Sequence, residues 1–170
     1  RLAEAASGAR VRTGTEGTGR VNLFAEHDGL AMLNAEAVNR VNAIDEGITI
    51  ATLRPFDRIE DNQVVATVKI IPFAVSEAKL AQAEIAAREA GGLISVHPYR
   101  TRRVALLQTD LPGLKDRVRE KTSRVIRQRI EALGSTLALE QSAAHTPQAI
   151  ASSLSTAIAS GAEMILIVGA

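Results

Sequence analysis

The chain has no cysteine and no tryptophan, and its only aromatic residues are three Phe and one Tyr among 170 residues. Without cysteine there is no disulfide framework, no thiolate catalysis and no cysteine-ligated zinc or iron–sulfur centre. The same absence fits a reducing compartment, so the cytoplasm is the expected location. So few aromatic rings leave almost no platform for stacking bases, and we expect no nucleic-acid partner.

Long apolar runs and an excess of charge are also missing. No apolar run approaches the roughly 20 residues of a membrane helix, and the first residues lack the apolar middle of a signal peptide, so we expect a soluble chain without a membrane partner. The 20 basic and 19 acidic residues create no overall field toward nucleic acid or anionic lipid. With 46% apolar and 23% charged residues, the composition predicts a globular protein with an aliphatic core.

Composition and turn signals divide the chain into four segments. Residues 1–19 are interpreted as a flexible or helical lead-in, 20–75 as a β-rich unit, 76–101 as a connecting helix and strand, and 102–170 as a parallel α/β domain. The chain opens on Arg1 and closes on the apolar run 164–170 with no covering element after it. We therefore expect a fragment that is truncated within the α/β domain.

The first half shows strand patterns separated by turn residues. Alternating or β-branched stretches predict strands at residues 21–25, 30–33, 48–53 and 64–72. The dipeptide Asp28-Gly29 predicts a hairpin between the first two strands. Asn34 is expected to cap a short helix, and Ser76 a longer one that stops at Gly91-Gly92.

The second half alternates strand and helix patterns. A continuous apolar run at 104–107 is typical of a buried parallel strand, and apolar positions three or four apart predict a helix from Val118 to Leu133, stopped by Gly134. A short strand at 137–139, a helix capped by Thr146 and a strand at 164–168 follow. This alternation predicts the first β-α-β-α-β of a three-layer α/β domain with a parallel sheet.

Candidate site residues come from the position of strand ends. Ligands of open parallel sheets bind outside the carboxyl ends of the strands, where Thr109, Asp110, His145 and Gly169 lie. Thr109 and Asp110 suit hydroxyl or metal binding, although Asp after a strand is more often a turn former. His145 suits a phosphate or a pterin, and a solvated loop histidine is the alternative. No His, Asp or Glu spacing resembles a closed metal site, so we predict no tightly bound metal.

A cluster of basic residues marks the first helix of the second half. Two interpretations are an anionic ligand and a solvated helix face, and the second is favoured because acidic residues offset part of the charge. The cluster consists of Lys115, Arg117, Arg119, Lys121, Arg124, Arg127 and Arg129. No Gly-rich phosphate loop and no Gly-x-Ser-x-Gly motif occurs, which argues against ATP hydrolysis, Rossmann dinucleotide binding and serine hydrolysis.

A family resemblance rests on two stretches of the second half, RVALLQTD at 103–110 and AEMILIVGA at 162–170. Gly134 and a helix that begins with Thr-Pro lie between them. They resemble the molybdopterin-binding domain of molybdenum-cofactor biosynthesis proteins. Residues 19–25, 41–46, 51–56 and 65–73 are similar to the β-rich leader of a bacterial subgroup related to molybdopterin cytidylyltransferases.

The resemblance implies a ligand, partners and a set of site residues. The ligand is molybdopterin or its nucleotide conjugate, with Thr109, Asp110, His145 and Gly169 near its phosphate side, and Mg²⁺ serves members that transfer nucleotides. Partners would be molybdenum enzymes or other cofactor-biosynthesis proteins, and a homo-oligomer is compatible with the family.

Catalysis is left open by two departures from the family pattern. Family members with transferase activity carry Thr/Ser-Gly-Asp/Asn-Glu after the first strand, where this chain has Gln108 to Gly113, and the acidic residue after the second strand is replaced by Ser142 to His145. The alternative function is a non-catalytic assembly or regulatory module that docks a partner on the strands at 48–72.

Overall fold

The computed structural model describes residues 1–113 and 115–169, and the chain forms two compact units, residues 1–99 and 100–170. Both units combine helices with sheets, so the predicted mixed α/β class is confirmed. Ala170, the last residue of the predicted parallel domain, lies outside the described residues. Within the described ranges, none of the helices combines the length and the apolar character needed to cross a membrane.

Unit 1 is built from two antiparallel sheets and three helices. Its elements are α1 (Leu2–Ala6), β1 (Val11–Thr13), β2 (Arg20–Ala25), β3 (Gly29–Leu33), α2 (Ala35–Asn42), β4 (Ile48–Thr52), β5 (Arg58–Ile59), β6 (Val64–Ile70), α3 (Glu77–Glu89) and β7 (Ile94–Pro98). One sheet has the order β1-β2-β6-β4 and the other β5-β3-β7. The four longer strands predicted in this half are confirmed, with ends shifted by one or two residues.

The core of unit 1 draws on all of its segments, including the stretch interpreted as a lead-in. Leu2 and Ala6 of α1 are buried beside Leu23, Ile48 and Val65 of the sheet strands. The segment interpreted as a connection also belongs to this unit, because β7 pairs with β3 along five residues and α3 contributes buried alanines. Burial of these helix and strand faces is the main stabilising contribution to the unit.

The predicted hairpin at Asp28-Gly29 is wrong. β2 pairs with β1 and β6, whereas β3 pairs with β5 and β7, so residues 26–28 carry the chain from one sheet to the other. The Asp28 carboxylate accepts a hydrogen bond from the Asp61 backbone N–H at 2.7 Å. Asp28 therefore ties this corner to the loop before β6, and it does not close a two-residue turn.

Unit 2 is the predicted β-α-β-α-β. Its elements are β8 (Arg103–Asp110), α4 (Asp116–Glu131), β9 (Thr136–Ala144), α5 (Pro147–Ala159) and β10 (Met164–Val168). The sheet order is β10-β8-β9 with both pairs parallel, so β8 is central and its residues Val104 to Leu107 are buried. Because the two crossovers run in opposite directions across the sheet, right-handed connections place α4 and α5 on opposite faces.

The second strand is longer than the sequence predicts. The residue pattern predicts a strand only over 137–139, yet β9 continues to Ala144 because it pairs with β8 along that strand's full length. Its residues alternate between exposed and half-buried, because successive side chains of a strand point to opposite faces of the sheet. The end of β9, and with it His145, consequently lies level with the end of β8.

Candidate functional site

The carboxyl ends of the three parallel strands meet at one edge of the sheet of unit 2. In the β8–β9 register Asp110 lies opposite Ala144, and in the β8–β10 register Gln108 lies opposite Val168. This register brings Thr109, Asp110, His145 and Gly169 to the same edge. The four residues singled out from the sequence are therefore neighbours in the structure.

A hydrogen bond joins Thr109 to His145. Thr109 Oγ1 lies 2.9 Å from His145 Nδ1 and 3.5 Å from the Val168 carbonyl oxygen. A hydroxyl has one proton, so both contacts are satisfied when Thr109 donates to Val168 and His145 donates from Nδ1. In that arrangement, with one ring proton on Nδ1, Nε2 accepts a hydrogen bond from an N–H or O–H group of a ligand.

Thr109 is buried at this edge, and the exposed Gly169 lies near its hydroxyl. Thr109 is 2% exposed, although it stands one residue from the strand end. A Cβ atom at Gly169 would lie 3.8 Å from Thr109 Oγ1, an ordinary van der Waals contact, so a small side chain would also fit beside the hydroxyl. The Thr109 hydroxyl is thereby fixed between β10 and the loop that enters α5.

The Asp110 carboxylate is held by Arg119 of α4. Arg119 Nη1 lies 3.0 Å from both Asp110 oxygens, and Nη2 donates to Asp116. Hydrogen bonds to Asp116 and then to Asp110, with the attraction of Asp110, raise the pKa of Arg119 above its ordinary value. Asp110 thus positions Arg119 at the sheet edge, and Arg119 is not simply part of a solvated helix face.

A second polar group, Gln108, fixes α4 over the sheet. The buried Gln108 side chain donates to Ser123 Oγ at 2.9 Å, and Ser123 donates to Glu140 of β9. Arg127 completes the network through an ion pair to Glu140 at 3.3 Å. Because a buried amide is costly to leave without partners, this network sets the position of α4 relative to β8 and β9.

A cleft of about 80 Å³ opens between α4 and the strand ends. Its lining residues are Gln108, Thr109, Val118, Arg119, Thr122, Val168 and Gly169. Typical small-molecule pockets enclose roughly 300–1,000 Å³, so this cleft takes only a group the size of a phosphate.

The residues at this edge do not fit a Mg²⁺ site. Hard cations prefer several oxygen ligands, and here both Asp110 oxygens already accept from Arg119. Among the described residues, no group of three or more His, Cys, Asp or Glu side chains converges as metal ligands.

Sequence reasoning missed Arg119, at this edge, and the pair Ser123 and Glu140, which lies further along the sheet. By residue type alone, Arg119 is one of seven basic residues on a helix surface. One signal was available, because α4 starts a few residues after β8 ends and its first turns must therefore pass over the carboxyl edge. Ser123 and Glu140 carry no such signal, since their pairing depends on how α4 lies across β9.

These features define unit 2 as a parallel α/β domain with a polar cleft at the carboxyl edge of its sheet, the usual ligand position of this architecture. Comparison of the chain with protein-family models, with curated proteins and with solved structures finds no match.

Proposed function

We propose that the chain binds molybdopterin or its nucleotide conjugate at the carboxyl edge of unit 2, and that it acts in the synthesis or handling of the molybdenum cofactor. The observation that carries the proposal is the meeting of Thr109, His145 and Gly169 at the strand ends: Thr109 and Gly169 line the cleft, and His145 contacts Thr109. The motif resemblance of residues 103–110 and 162–170 supplies the identity of the ligand.

The size and chemistry of the cleft suit the phosphate end of such a ligand. A group of about 80 Å³ can enter, and the larger ring system would lie outside, across the exposed ends of β9 and β10. Arg119 lines the cleft, and the N-terminus of α5, capped by Thr146, directs its positive dipole end toward this edge. Asp110 acts in this proposal by holding Arg119, not by contacting a metal.

Anaerobic calorimetric titration of the chain with molybdopterin, and separately with its cytidine nucleotide form, tests the proposal. We expect saturable binding to the unaltered chain, weakened about fivefold by Thr109→Val, because the variant loses the hydrogen bond that orients His145 and one hydrogen bond contributes about 1 kcal/mol. His145→Gln should weaken binding to a similar extent. Absence of binding by either ligand at high micromolar concentration would sink the proposal.

Two matched variants separate a site effect from a general loss of structure. Thr136→Val makes the same change on an exposed residue at the opposite end of β9, and His97→Gln alters an exposed histidine of unit 1. Both should bind like the unaltered chain. Equal weakening by Thr136→Val and Thr109→Val would contradict a site at the carboxyl edge.

A second candidate function, an assembly or regulatory module, is favoured by exposed apolar residues in unit 1. Phe56 is 65% exposed, Ile71 63% and Phe73 fully exposed, so two of the three phenylalanines lie on the surface next to the strands at 48–72. Contiguous apolar surface marks protein interaction sites, and Ile71 and Phe73 lie two residues apart in the chain.

The two functions differ in which variant abolishes partner capture. A pull-down from cells that produce molybdenum enzymes should lose its captured proteins with Phe56→Ser and Phe73→Ser if unit 1 docks them. Thr109→Val should leave capture unchanged in that case. Capture that depends on Thr109 and not on the two phenylalanines would reject the docking function.

A further inference from the structure

The β1-β2-β6-β4 sheet of unit 1 is basic, although the unit around it is acidic. Its strands contain three basic residues, Arg12, Arg20 and Lys69, and no acidic residue. All three are exposed. Residues 1–99 together contain ten Lys or Arg and 13 Asp or Glu, a formal charge of −3. The positive charge is therefore a local feature of this sheet.

The basic side chains lie on the outer face of the sheet. In β2 the buried Leu23 points to the core, so Arg20 and Phe24, at odd spacings from it, point to the other side. Arg12 lies opposite Phe24, with its guanidinium carbon 4.8 Å from the ring centre, and donates to Asn62. Four strand residues span about 13 Å, so positive charge stands at two places on this face about that far apart.

One of these two places is a like-charged pair. Arg20 and Lys69 lie directly opposite each other on antiparallel strands, an arrangement that destabilises a sheet. Within the described part of unit 1 the ion pairs involve other basic residues, Arg1, Arg40 and Arg88. A negative group bound between Arg20 and Lys69 would remove their repulsion.

The neighbours of this pair add hydrogen-bond donors. The Asn22 side-chain oxygen accepts from Arg20 Nε at 3.2 Å and from Thr67 Oγ1 at 2.9 Å, and its NH₂ group is a further donor. Thr49, directly opposite Lys69, supplies a hydroxyl. An ionised carboxylate only accepts hydrogen bonds, so its chemistry matches this group of donors.

We infer that the outer face of this sheet docks an acidic segment of a partner protein, with one carboxylate between Arg20 and Lys69 and a second near Arg12. In an extended segment, carboxylates four residues apart span the same distance of about 13 Å. Complementary charge steers and orients such a partner. The inference rests on the second candidate function, partner docking on unit 1, and assigns the docking face and the chemistry of the partner.

Synthetic peptides test the inference with the full chain. The probe is a peptide of Ser-Glu repeats, whose carboxylates all lie on one face of the extended backbone. Fluorescence anisotropy should show saturable binding that is weaker by at least about tenfold for Ser-Gln repeats and for Ser-Lys repeats. Equal binding by the Glu and Gln peptides would overturn the inference.

Matched charge removals in the two units locate the peptide. Arg20→Gln with Lys69→Gln should weaken binding of the Ser-Glu peptide about tenfold. The control, Lys121→Gln with Arg124→Gln, removes the same charge from α4 of unit 2 and should leave binding unchanged. Weakening by the control variant alone would overturn the inference.

Stability and binding should respond to Lys69→Glu in opposite directions. This variant replaces the like-charged pair by an opposite-charged one, so we expect a higher urea midpoint for unit 1 and weaker binding of the Ser-Glu peptide. In an Arg20→Gln background, Lys69→Glu should no longer raise the midpoint. A midpoint that Lys69→Glu lowers, or raises equally in both backgrounds, would overturn the inference.

A second copy of the chain and an anionic membrane are the competing occupants. The inference expects a monomer at micromolar concentration in analytical ultracentrifugation and no cosedimentation with phosphatidylserine vesicles at physiological salt. A dimer that Arg20→Gln with Lys69→Gln dissociates would overturn the assignment to an acidic partner segment. Vesicle binding that the same variant abolishes would overturn it as well.

The pull-down separates this inference from the docking function on which it rests. Capture that Phe56→Ser and Phe73→Ser abolish, but that Arg20→Gln with Lys69→Gln leaves intact, would overturn the inference and keep the docking function. Capture that none of these variants alters would reject docking on unit 1 altogether.

Discussion

At the scale of single residues, two adjacent glycines after α3 show that steric crowding and a left-handed backbone are separate reasons for requiring glycine. Gly91 and Gly92 both have positive φ, at 71° and 95°. A Cβ atom at Gly91 would meet none of the described residues within 4 Å, whereas at Gly92 it would lie 2.7 Å from the Gly8 Cα. Gly92 therefore permits the close approach of the segment after α1 to the start of β7.

Replacement of these glycines by alanine is expected to give unequal losses of stability. Gly91→Ala should lower the free energy of unfolding of unit 1 by about 1 kcal/mol, the cost of a left-handed backbone for a residue with a Cβ. Gly92→Ala should cost about 2–4 kcal/mol, because overpacking against Gly8 adds to the same backbone cost. Urea denaturation followed by circular dichroism measures both, and equal losses would refute the Gly8 contact.

Single residues also decide the character of the proposed ligand site. The sequence makes Asp110 a candidate ligand contact, but Arg119 occupies its carboxylate. Thr109, in contrast, keeps a hydroxyl that reaches both His145 and Val168. The difference arises because the Asp110 carboxylate turns toward Arg119 of α4, whereas the Thr109 hydroxyl turns toward β10 and the loop before α5.

At the scale of secondary-structure elements, side chains supply hydrogen bonds to backbone groups at the edges and ends of strands. Asn42, the last residue of α2, accepts from the Ile50 N–H at 2.7 Å and donates to the Ile50 carbonyl at 3.0 Å. This pair of hydrogen bonds covers part of the free edge of β4, whose neighbour among the described strands is β6 alone. An edge satisfied in this way is less available for pairing with another chain.

Glu163 performs a similar role where α5 leads into β10. It accepts from the Arg103 backbone N–H at 3.0 Å and from the Arg102 guanidinium at 3.1 Å. These two contacts, the backbone hydrogen bond first, lower the pKa of the Glu163 carboxyl below its ordinary value. The start of β10 is thus fastened to the start of β8.

The lowered pKa predicts a pH dependence for the stability of unit 2. The pKa of the Glu163 carboxyl is lower in the folded than in the unfolded chain, so ionised Glu163 stabilises unit 2 fully at pH values above the unfolded-state pKa. This stabilisation is lost as the pH falls through the folded-state pKa. Glu163→Gln should reduce stability at neutral pH, and the difference from the unaltered chain should shrink under acidic conditions. Urea denaturation at a series of pH values tests this prediction, and Glu120→Gln at an exposed position of α4 is the control. A stability difference between Glu163→Gln and the unaltered chain that does not change with pH would contradict the prediction.

At the scale of the whole molecule, the two units differ in the size of their cores. The buried apolar residues of unit 1 come from both sheets and all three helices. In the described part of unit 2 they are Val104, Ala105, Leu106, Leu107, Ile130 and Ala157. Because apolar burial is the main favourable term in folding, unit 2 should be the less stable unit.

We therefore expect the two units to open separately. In native-state hydrogen exchange, amides of β8 should exchange at lower urea concentrations than those of β6. Leu106→Ala, which removes a buried side chain of unit 2, should cost about 2–5 kcal/mol there and leave β6 exchange unchanged. Faster exchange of both strands in this variant would show that the units unfold as one.

The sequence alone determined the type and order of most elements. Hydrophobic period, Gly stops and Thr-Pro or Asn caps are local signals, and they identified β8, α4, α5 and β10 as well as the main strands of unit 1. The same signals placed Thr109, Asp110, His145 and Gly169 at strand ends, because in a parallel sheet every strand ends at the same edge.

Only the tertiary structure decided how these elements pair and which side chains meet. Asp28-Gly29 has the local form of a hairpin turn, yet β2 and β3 enter different sheets because each finds other partners distant in sequence. The pairing of Asp110 with Arg119 and the Gln108 network likewise depend on how α4 crosses the sheet. Such contacts join residues far apart in the chain, and no local pattern of residue types encodes their geometry.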